Sequence, residues 1–244
     1  MKQTALVTGA ASGLGQVIAT HLLAQGFQVV LTDVDITRAQ AAAAELDSDS
    51  VLALGLDIRQ PEDFAAALAA TIERFGSLQV LVNNAALTLA TPVMAIAVDE
   101  FDRVISTNLR GTFIGCQTMG RYFAAQGYGR IINLASLAGQ NGGTASGAHY
   151  AASKGGILTL TKVFARELAK SGVTVNAIAP GPMDLPTVHA LVPEEKMGAL
   201  LQMIPVGELG EAEFVARSVA LLASPQASFV TGATWDINGG LFMR

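Results

Sequence analysis

The sequence predicts an α/β protein with a doubly wound sheet of about seven parallel strands and helices on both faces. Three observations support this fold class. Short apolar runs alternate with longer helical patterns, as in chains built from βαβ units. Most of the runs are apolar throughout, which is typical of strands whose two sheet faces are both covered. A glycine-rich turn separates the first run from the first helical pattern.

The predicted strands and helices follow one another along the whole chain. The strands lie at residues 4–8, 28–32, 51–56, 80–83, 130–134, 173–178 and 234–236. The helices lie near residues 14–25, 37–46, 61–75, 98–126, 149–170, 185–203 and 211–223. Because no linker, repeat or charge block interrupts this order, we expect a single domain over residues 1–244.

Composition excludes several classes of protein. The 244 residues are 51% hydrophobic and only 14% charged, with a formal net charge of −5. An acidic chain without a basic block lacks the electrostatic signature of nucleic-acid or anionic-membrane binding. The single Cys116 excludes an intrachain disulfide, and the three histidines show no metal-ligand spacing. We therefore expect no metal, no nucleic-acid partner and no membrane partner.

The first residues run directly into a predicted strand rather than through a signal peptide. The longest weakly polar stretch, residues 85–98, is too short to cross a bilayer. These features predict a soluble, cytoplasmic protein.

The glycine-rich turn has the sequence Thr-Gly-Ala-Ala-Ser-Gly-Leu-Gly at residues 8–15. Glycines permit a tight turn and close approach of a ligand to the backbone, and the following helix N-terminus suits a pyrophosphate. We predict a Rossmann-type dinucleotide site with contacts from Gly9, Ser12, Gly13, Leu14 and Gly15. The spacing is GxxxGxG rather than GxGxxG, and a turn without function is the alternative.

Asp33 ends the second predicted strand, eighteen residues beyond Gly15. A carboxylate there accepts hydrogen bonds from ribose hydroxyls and repels a 2′-phosphate. The nearest cation is Arg38, and nothing obvious would neutralise a 2′-phosphate, so we predict NAD as the cofactor. Capping of the next helix is the alternative role for Asp33.

Asp57 and Ile58 close the third predicted strand, where they would meet the adenine. The Asp would do so by hydrogen bonding and the Ile by apolar contact. A cap for the helix at Pro61 is the alternative role for Asp57.

Tyr150 and Lys154 stand four residues apart, which places them on one face of a helix. A nearby cation favours the phenolate and lowers the pKa of a tyrosine from about 10. Such a pair makes a general acid/base that works near neutral pH. A surface Tyr beside a surface Lys is the alternative.

Taken together, these motifs resemble the short-chain dehydrogenase/reductase family over essentially the whole chain. The resemblance rests on TGxxxGxG at 8–15, Asn83-Asn84-Ala85, Asn108, Ser136, Tyr150-xxx-Lys154 and Pro180-Gly181. It implies that Tyr150 is the acid/base and that Ser136 donates to the substrate oxygen. It implies that Lys154 lowers the pKa of Tyr150 and binds the nicotinamide ribose. Asn108, within the long helix at 98–126, would hold a water on a proton path.

The resemblance also implies further cofactor contacts from Asn84, Ala85, Pro180, Gly181 and Met183. Two positions depart from the family pattern. Ala86 replaces the glycine of the usual Asn-Asn-Ala-Gly, and Leu185 stands where a threonine is common, with Thr187 the nearest.

Residues 183–207, the lid segment, would cover a small-molecule substrate, with further walls from residues 87–89 and 137–144. We expect hydride transfer between NAD(H) and a secondary alcohol or ketone of the small alcohol, polyol or hydroxy-acid type. A 3-oxoacyl-[acyl-carrier-protein] reductase-like enzyme is the first alternative. Family members with that role usually use NADPH and basic residues to meet the carrier. The segments around Gly127 and Lys170 are short of cations.

A catalytically silent nucleotide-binding protein is the second alternative, although all four residues implied in catalysis are present. The resemblance and the small residues of the fourth and fifth helices predict a homotetramer with two-fold axes.

Overall fold

A seven-stranded, all-parallel sheet forms the centre of the molecule, and the computed structural model describes residues 2–143 and 146–243. The spatial strand order is β3-β2-β1-β4-β5-β6-β7. The strands are β1 Thr4–Thr8, β2 Gln28–Asp33, β3 Val51–Gly55, β4 Val80–Asn83, β5 Gly129–Leu134, β6 Val173–Pro180 and β7 Thr234–Ile237. This arrangement confirms the predicted doubly wound parallel sheet.

The helices occupy the intervals between the strands. They are α1 Gly13–Ala24, α2 Ile36–Leu46, α3 Pro61–Phe75, α4 Val98–Ile105, α5 Gly111–Gln126, α6 Ala138–Asn141, α7 Ala148–Leu168, α8 Pro186–Leu191, α9 Glu194–Met203 and α10 Ala212–Ala223. A π-helical segment, Ser106–Arg110, joins α4 to α5. No helix in the described ranges is long and apolar enough to cross a membrane.

The core is divided by the sheet into two apolar layers. Helices α1, α2 and α10 pack on one face through residues such as Ile18, Leu22 and Val219. Helices α3, α5 and α7 pack on the other face, where Phe64 and Phe123 are completely buried. Burial of both faces explains why the inner strands are largely apolar.

Two predicted helices are each divided in the structure. The helix expected at 98–126 is α4 and α5 with the π-helical segment between them. The helix expected at 185–203 is α8 and α9, interrupted at Val192 and Pro193, because a proline cannot continue a helix through its ring nitrogen. The short helix α6 was not predicted from the sequence.

Candidate active site

A cleft of about 790 Å³ runs along the carboxyl ends of the strands. It crosses the point where β1 neighbours both β2 and β4, so the chain leaves the sheet centre in opposite directions. Ligands of open α/β sheets bind at such switch points. Asp33, at the end of β2, lies on one side of this point, and Ser136, after β5, lies on the other. The volume falls within the range of about 300–1,000 Å³ seen for ligand pockets.

The glycine-rich turn forms the floor of the cleft. Gly9 and Gly13 have φ values of +61° and +58°, a conformation that favours glycine. A Cβ on Gly9 would lie 2.8 Å from the Cα of Ala85, so the turn packs directly on the end of β4. Asn84 braces it, because Nδ2 donates to the carbonyls of Thr8 (2.9 Å) and Gly9 (3.1 Å).

The start of α1 is left open toward the cleft. Ser12 stands at the N-cap but makes no capping hydrogen bond with its side chain. The next residues, Gly13, Leu14 and Gly15, line the cleft. Uncapped amides at the positive end of a helix suit the pyrophosphate of a dinucleotide, so the residues present fit such a cofactor.

Asp33 lies at the end of β2 with only 9% of its surface exposed. Its Oδ1 accepts a hydrogen bond from Asp35 N at 3.2 Å, and no bond occupies Oδ2 among the described residues. Arg38 also lines the cleft, where its Nη2 donates to Ser12 Oγ at 3.0 Å. Arg38, the nearest cation in the sequence, therefore lies at the glycine-rich turn, and whether it contacts a 2′-phosphate stays untested. Helix α2 begins at Ile36, and its first turn brings Arg38 back to the glycine-rich turn.

Asp57 and Ile58 both line the cleft. Both carboxylate oxygens of Asp57 accept hydrogen bonds from Arg59, the shortest being 2.6 Å. The hydrogen-bonded Arg59 holds the pKa of Asp57 below its ordinary value. The alternative role as a helix cap is not observed, because Gln60 occupies the N-cap of α3. The backbone N–H of Asp57 instead donates to Asp63 Oδ2 at 2.9 Å.

Tyr150 and Lys154 lie one turn apart on α7, as the spacing predicts. The Nζ of Lys154 is 5.6 Å from the centroid of the Tyr150 ring and donates to the carbonyl of Leu134 at 2.6 Å. Lys154 is only 3% exposed. Helix α6 encloses it, since a Cβ on Gly139 would collide with the Lys154 backbone.

The pKa of Tyr150 is not lowered as the sequence predicted, and the pKa of Lys154 is shifted as well. Burial raises the pKa of Tyr150, while the hydroxyls of Ser136 and Thr88, hydrogen-bonded to the phenol, act to lower it. Burial also lowers the pKa of Lys154 from 10.5 to about 8. The lowered pKa expected for Tyr150 is therefore not found. Desolvation of the phenolate outweighs the favourable contacts, and those contacts come from two hydroxyls.

Asn108 is completely buried in the π-helical segment. Its Oδ1 accepts from Leu87 N at 2.7 Å, and its Nδ2 donates to Leu87 O (3.0 Å) and Ser153 Oγ (3.1 Å). Both amide hydrogens are thus used within the protein. The side chain anchors the segment carrying Thr88 to α7. A role for Asn108 in holding a water on a proton path stays a prediction.

His149 belongs to the site but was not assigned a role in it from the sequence, whereas Thr88 was expected only as part of the wall at residues 87–89. His149 is completely buried, with Nε2 2.9 Å from Glu100 Oε1. Its Nδ1 accepts from the backbone N–H of Tyr150 at 2.9 Å, which leaves the proton on Nε2. The only sequence signal was a histidine directly before the tyrosine.

The remaining predicted contacts come from the end of β6. Pro180, Gly181, Met183 and Thr187 all line the cleft. Met183 is 4% exposed, and among the described residues its backbone N–H has no hydrogen-bond partner. This amide is available to a ligand.

A second cavity of about 240 Å³, which we name the side chamber, shares Ser136 and Tyr150 with the cleft. Its walls include Leu137 and Asn141, as predicted, and apolar residues of the lid segment. Of the other predicted walls, Leu87 and Thr88 line the cleft, while Thr144 lies outside the described residues.

The fold and the cleft define a Rossmann-type protein. A family model described as Enoyl-(Acyl carrier protein) reductase matches residues 9–242. The chain belongs to the short-chain dehydrogenase/reductase family, and it is therefore an oxidoreductase of keto and hydroxyl groups that uses a nicotinamide cofactor.

Several curated proteins are similar to the chain over nearly its full length. It is 39% identical to the 3-oxoacyl-[acyl-carrier-protein] reductase FabG of Vibrio cholerae serotype O1, covering 99% of this chain and 98% of that protein. It is 39% identical to FabG of Staphylococcus aureus, covering 100% and 99%. It is also 39% identical to the 2-dehydro-3-deoxy-L-rhamnonate dehydrogenase (NAD(+)) of a Sphingomonas species, covering 97% and 94%.

Burial of Lys154 predicts a pH-dependent contribution to stability. Because the folded pKa of about 8 lies below the unfolded value of 10.5, the unfolded chain binds more protons between these pH values. The free energy of unfolding of the wild type relative to Lys154→Met should therefore rise across this window. The rise should be a few kcal/mol, at roughly 1.4 kcal/mol per pKa unit.

Urea unfolding at a series of pH values measures this difference. Lys162→Met, on the exposed side of the same helix, is the matched control. A difference that stays level or falls between pH 8 and 10.5 would contradict the assignment.

Proposed function

We propose that the protein transfers a hydride between NAD(H) and the carbon of a secondary alcohol or ketone, with Tyr150 as the acid/base. The observation that carries this proposal is the position of the Tyr150 phenol. It lies where the cleft and the side chamber meet, against the hydroxyls of Ser136 and Thr88. A group that exchanges a proton with a substrate oxygen needs to be at such a junction.

Each residue of the set has a separate task in this proposal. Tyr150 gives or takes the proton at its phenolic oxygen, and Ser136 donates a hydrogen bond to the same substrate oxygen. Lys154 provides a buried amine beside the Tyr150 ring, held by Leu134 O. Asn108 positions the Leu87–Thr88 backbone through its side chain. The nicotinamide, when bound, supplies or accepts the hydride.

The cofactor would lie along the cleft in the order that the strands set. The pyrophosphate would meet the open end of α1, and a ribose would meet Asp33. The adenine would meet Ile58 and Asp57, and the nicotinamide end would meet the Met183 amide. The proposed contacts are Gly9, Ser12, Gly13, Leu14, Gly15, Asp33, Asp57, Ile58, Asn84, Ala85, Tyr150, Lys154, Pro180, Gly181 and Met183.

NAD(H) is favoured over NADP(H) by the carboxylate of Asp33. One of its oxygens is free among the described residues to accept from a ribose hydroxyl. A 2′-phosphate at that place would meet the same negative charge. Arg38 is the opposing feature within the cleft, but its guanidinium is directed to Ser12. The similarity to the FabG proteins also opposes the choice of NAD(H), because 3-oxoacyl-[acyl-carrier-protein] reductases usually use NADPH. The Sphingomonas relative bears NAD(+) in its name, which supports the same choice.

Two substrate classes remain, a 3-oxoacyl group and a free alcohol, polyol or hydroxy acid. The FabG relatives favour a 3-oxoacyl group over the free polyol or hydroxy acid that the sequence suggested. The structure favours a substrate that needs no docked carrier. The segments near Gly127 and Lys170, where a carrier would dock, contain few cations. Arg130 follows the first of them but is only 3% exposed, so it cannot meet an acidic carrier. Its guanidinium donates to the carbonyls of Gly129, Gly172, Ser224 and Pro225.

Our first candidate substrate is therefore a 3-oxoacyl group that binds without contacts between the enzyme and an acyl carrier. An NAD-dependent dehydrogenase for a free alcohol is the second candidate. In both cases the lid segment, residues 183–207, would cover the substrate.

Tyr150→Phe should lower turnover strongly while leaving cofactor affinity nearly unchanged, because the substitution removes only the hydroxyl and keeps the ring that lines the cleft. Loss of general acid–base catalysis typically lowers rates by about 10²–10⁴-fold. Initial rates of NADH oxidation with a panel of ketones measure turnover. A titration followed by NADH fluorescence measures cofactor binding. A variant that keeps the wild-type rate would exclude Tyr150 as the acid/base. A wild type that binds NADH but reduces no ketone would support the catalytically silent alternative.

Asp33→Asn should weaken NAD more than NADP. A hydrogen bond to a charged group contributes about 1.5–3 kcal/mol, which corresponds to roughly a 10- to 100-fold loss of affinity. Arg38→Ala is the companion variant, and it should leave NAD affinity unchanged. If the wild type binds NADP as tightly as NAD, the assignment of Asp33 is wrong.

A carrier-bound substrate should have little advantage over a free one. We expect kcat/KM for 3-oxobutyryl-acyl carrier protein to lie within about tenfold of that for the N-acetylcysteamine thioester. Electrostatic docking instead raises association rates by about 10–10³-fold at low salt. A large carrier preference that disappears with added salt would establish the carrier-dependent enzyme.

A further inference from the structure

The side chamber determines which molecules can present an oxygen to Tyr150. It shares Ser136, Tyr150, Pro180, Gly181 and Val188 with the cleft. A substrate whose oxygen meets Tyr150 from this side must place the rest of its skeleton between α6 and the lid helices. The chemistry of these walls therefore selects the substrate.

The walls are built from apolar side chains of α6, the lid segment and the C-terminal turn. The apolar residues that matter are Leu137, Val188, Val192, Leu200, Met203 and Leu241. Met203 remains 57% exposed, and the others are only partly buried. Apolar surface left open beside a reactive phenol is surface that a ligand would cover.

The polar groups of the side chamber are neutral. Asn141 Oδ1 already accepts from Gly143 N at 2.9 Å, so its amide hydrogens are the groups offered to a ligand. Ser146 contributes a hydroxyl. Among the described residues that line the side chamber, none is Asp, Glu, Lys, Arg or His.

The charged groups nearby do not line the side chamber. Lys196 stands one turn before Leu200 on α9, but its side chain is exposed and is not part of the walls. Lys154 lines the cleft and not the side chamber, and its Nζ donates to Leu134 O. On the lid segment, His189 and Asp184 pair with each other at 2.7 Å, and their side chains are 53% and 68% exposed. A carboxylate that enters the side chamber would therefore lose part of its water and meet no cation among the described walls, which is unfavourable. A methylene group would gain free energy at the same place.

We propose that the substrate is an uncharged ketone or alcohol with an apolar chain, and not a free hydroxy acid or sugar acid. This inference rests on the proposed function and narrows it. A neutral carbonyl next to the reacting carbon would accept from Asn141, and the chain would lie against Leu200 and Met203. A sugar acid of the kind named for the Sphingomonas relative is excluded by the same walls.

The test is a pair of inert ligands of equal size, hexanamide and hexanoate, titrated calorimetrically with and without NADH. Hexanamide should bind at least about tenfold more tightly, because the anion must be desolvated. Butanamide should bind about fourfold more weakly per methylene removed, since each buried methylene contributes roughly 0.8 kcal/mol. Equal or tighter binding of hexanoate, or affinity that does not grow with chain length, would overturn the inference.

A matched pair of variants tests whether the preference for hexanamide over hexanoate arises in the side chamber. Leu200→Arg places a cation in the side chamber and should shift the amide-to-carboxylate affinity ratio at least about tenfold toward hexanoate. Ile72→Arg, on α3 and 37% exposed before substitution, should leave the ratio unchanged. A ratio that moves equally in both variants would contradict the placement of the chain.

Failure of the proposed function would appear differently. In that case methyl 3-oxohexanoate would not consume NADH, while the ligand pair would still report the preference of the side chamber.

Discussion

The buried amine of Lys154 is the constraint on which the site depends. An ammonium group that is 3% exposed loses most of its water, and its pKa falls to about 8. It persists because β5, α6 and α7 converge there. Leu134 O accepts its hydrogen bond, and Gly139 permits α6 to approach the Lys154 backbone. That close approach fixes the position of α7, and hence of Tyr150 one turn earlier, relative to the strand ends where the cleft lies.

Further polar contacts hold the beginning of α7 from the opposite side. The ring of His149 accepts from Tyr150 N and pairs with Glu100 on α4. Ser153 Oγ accepts from Asn108, whose side chain also holds Leu87 at both backbone groups. The hydroxyls around the phenol are thus carried on segments with satisfied, buried hydrogen bonds. Such networks keep catalytic groups in one geometry before a ligand arrives.

The local sequence pattern predicted most of the fold but did not predict several features of the site. All seven strands were predicted, and the signal was clearest for the five inner strands, because burial on both faces leaves a largely apolar run. The π-helical segment at 106–110 gives no such signal, since it depends on the contact of Asn108 with a distant loop. Arg38 reaches Ser12 only after α2 folds back, and the raised pKa of Tyr150 depends on how tightly neighbouring elements cover it. These properties arise from tertiary packing.

Charge in the ligand-binding region is separated along its length, and this separation bears on substrate choice. Arg38, Arg59 and Arg103 line the cleft, whereas the described walls of the side chamber carry no charged side chain. The cleft therefore presents charged walls, which include Asp33 and Asp57 as well as the arginines, and the side chamber presents neutral ones. Relatives that are equally similar to the chain, at 39% identity, bear names for different substrates, so overall identity does not select between them. The discrimination must reside in few positions. Under our proposal those positions lie on the lid segment and around α6, where replacing Leu200 by a cation should change which molecule binds.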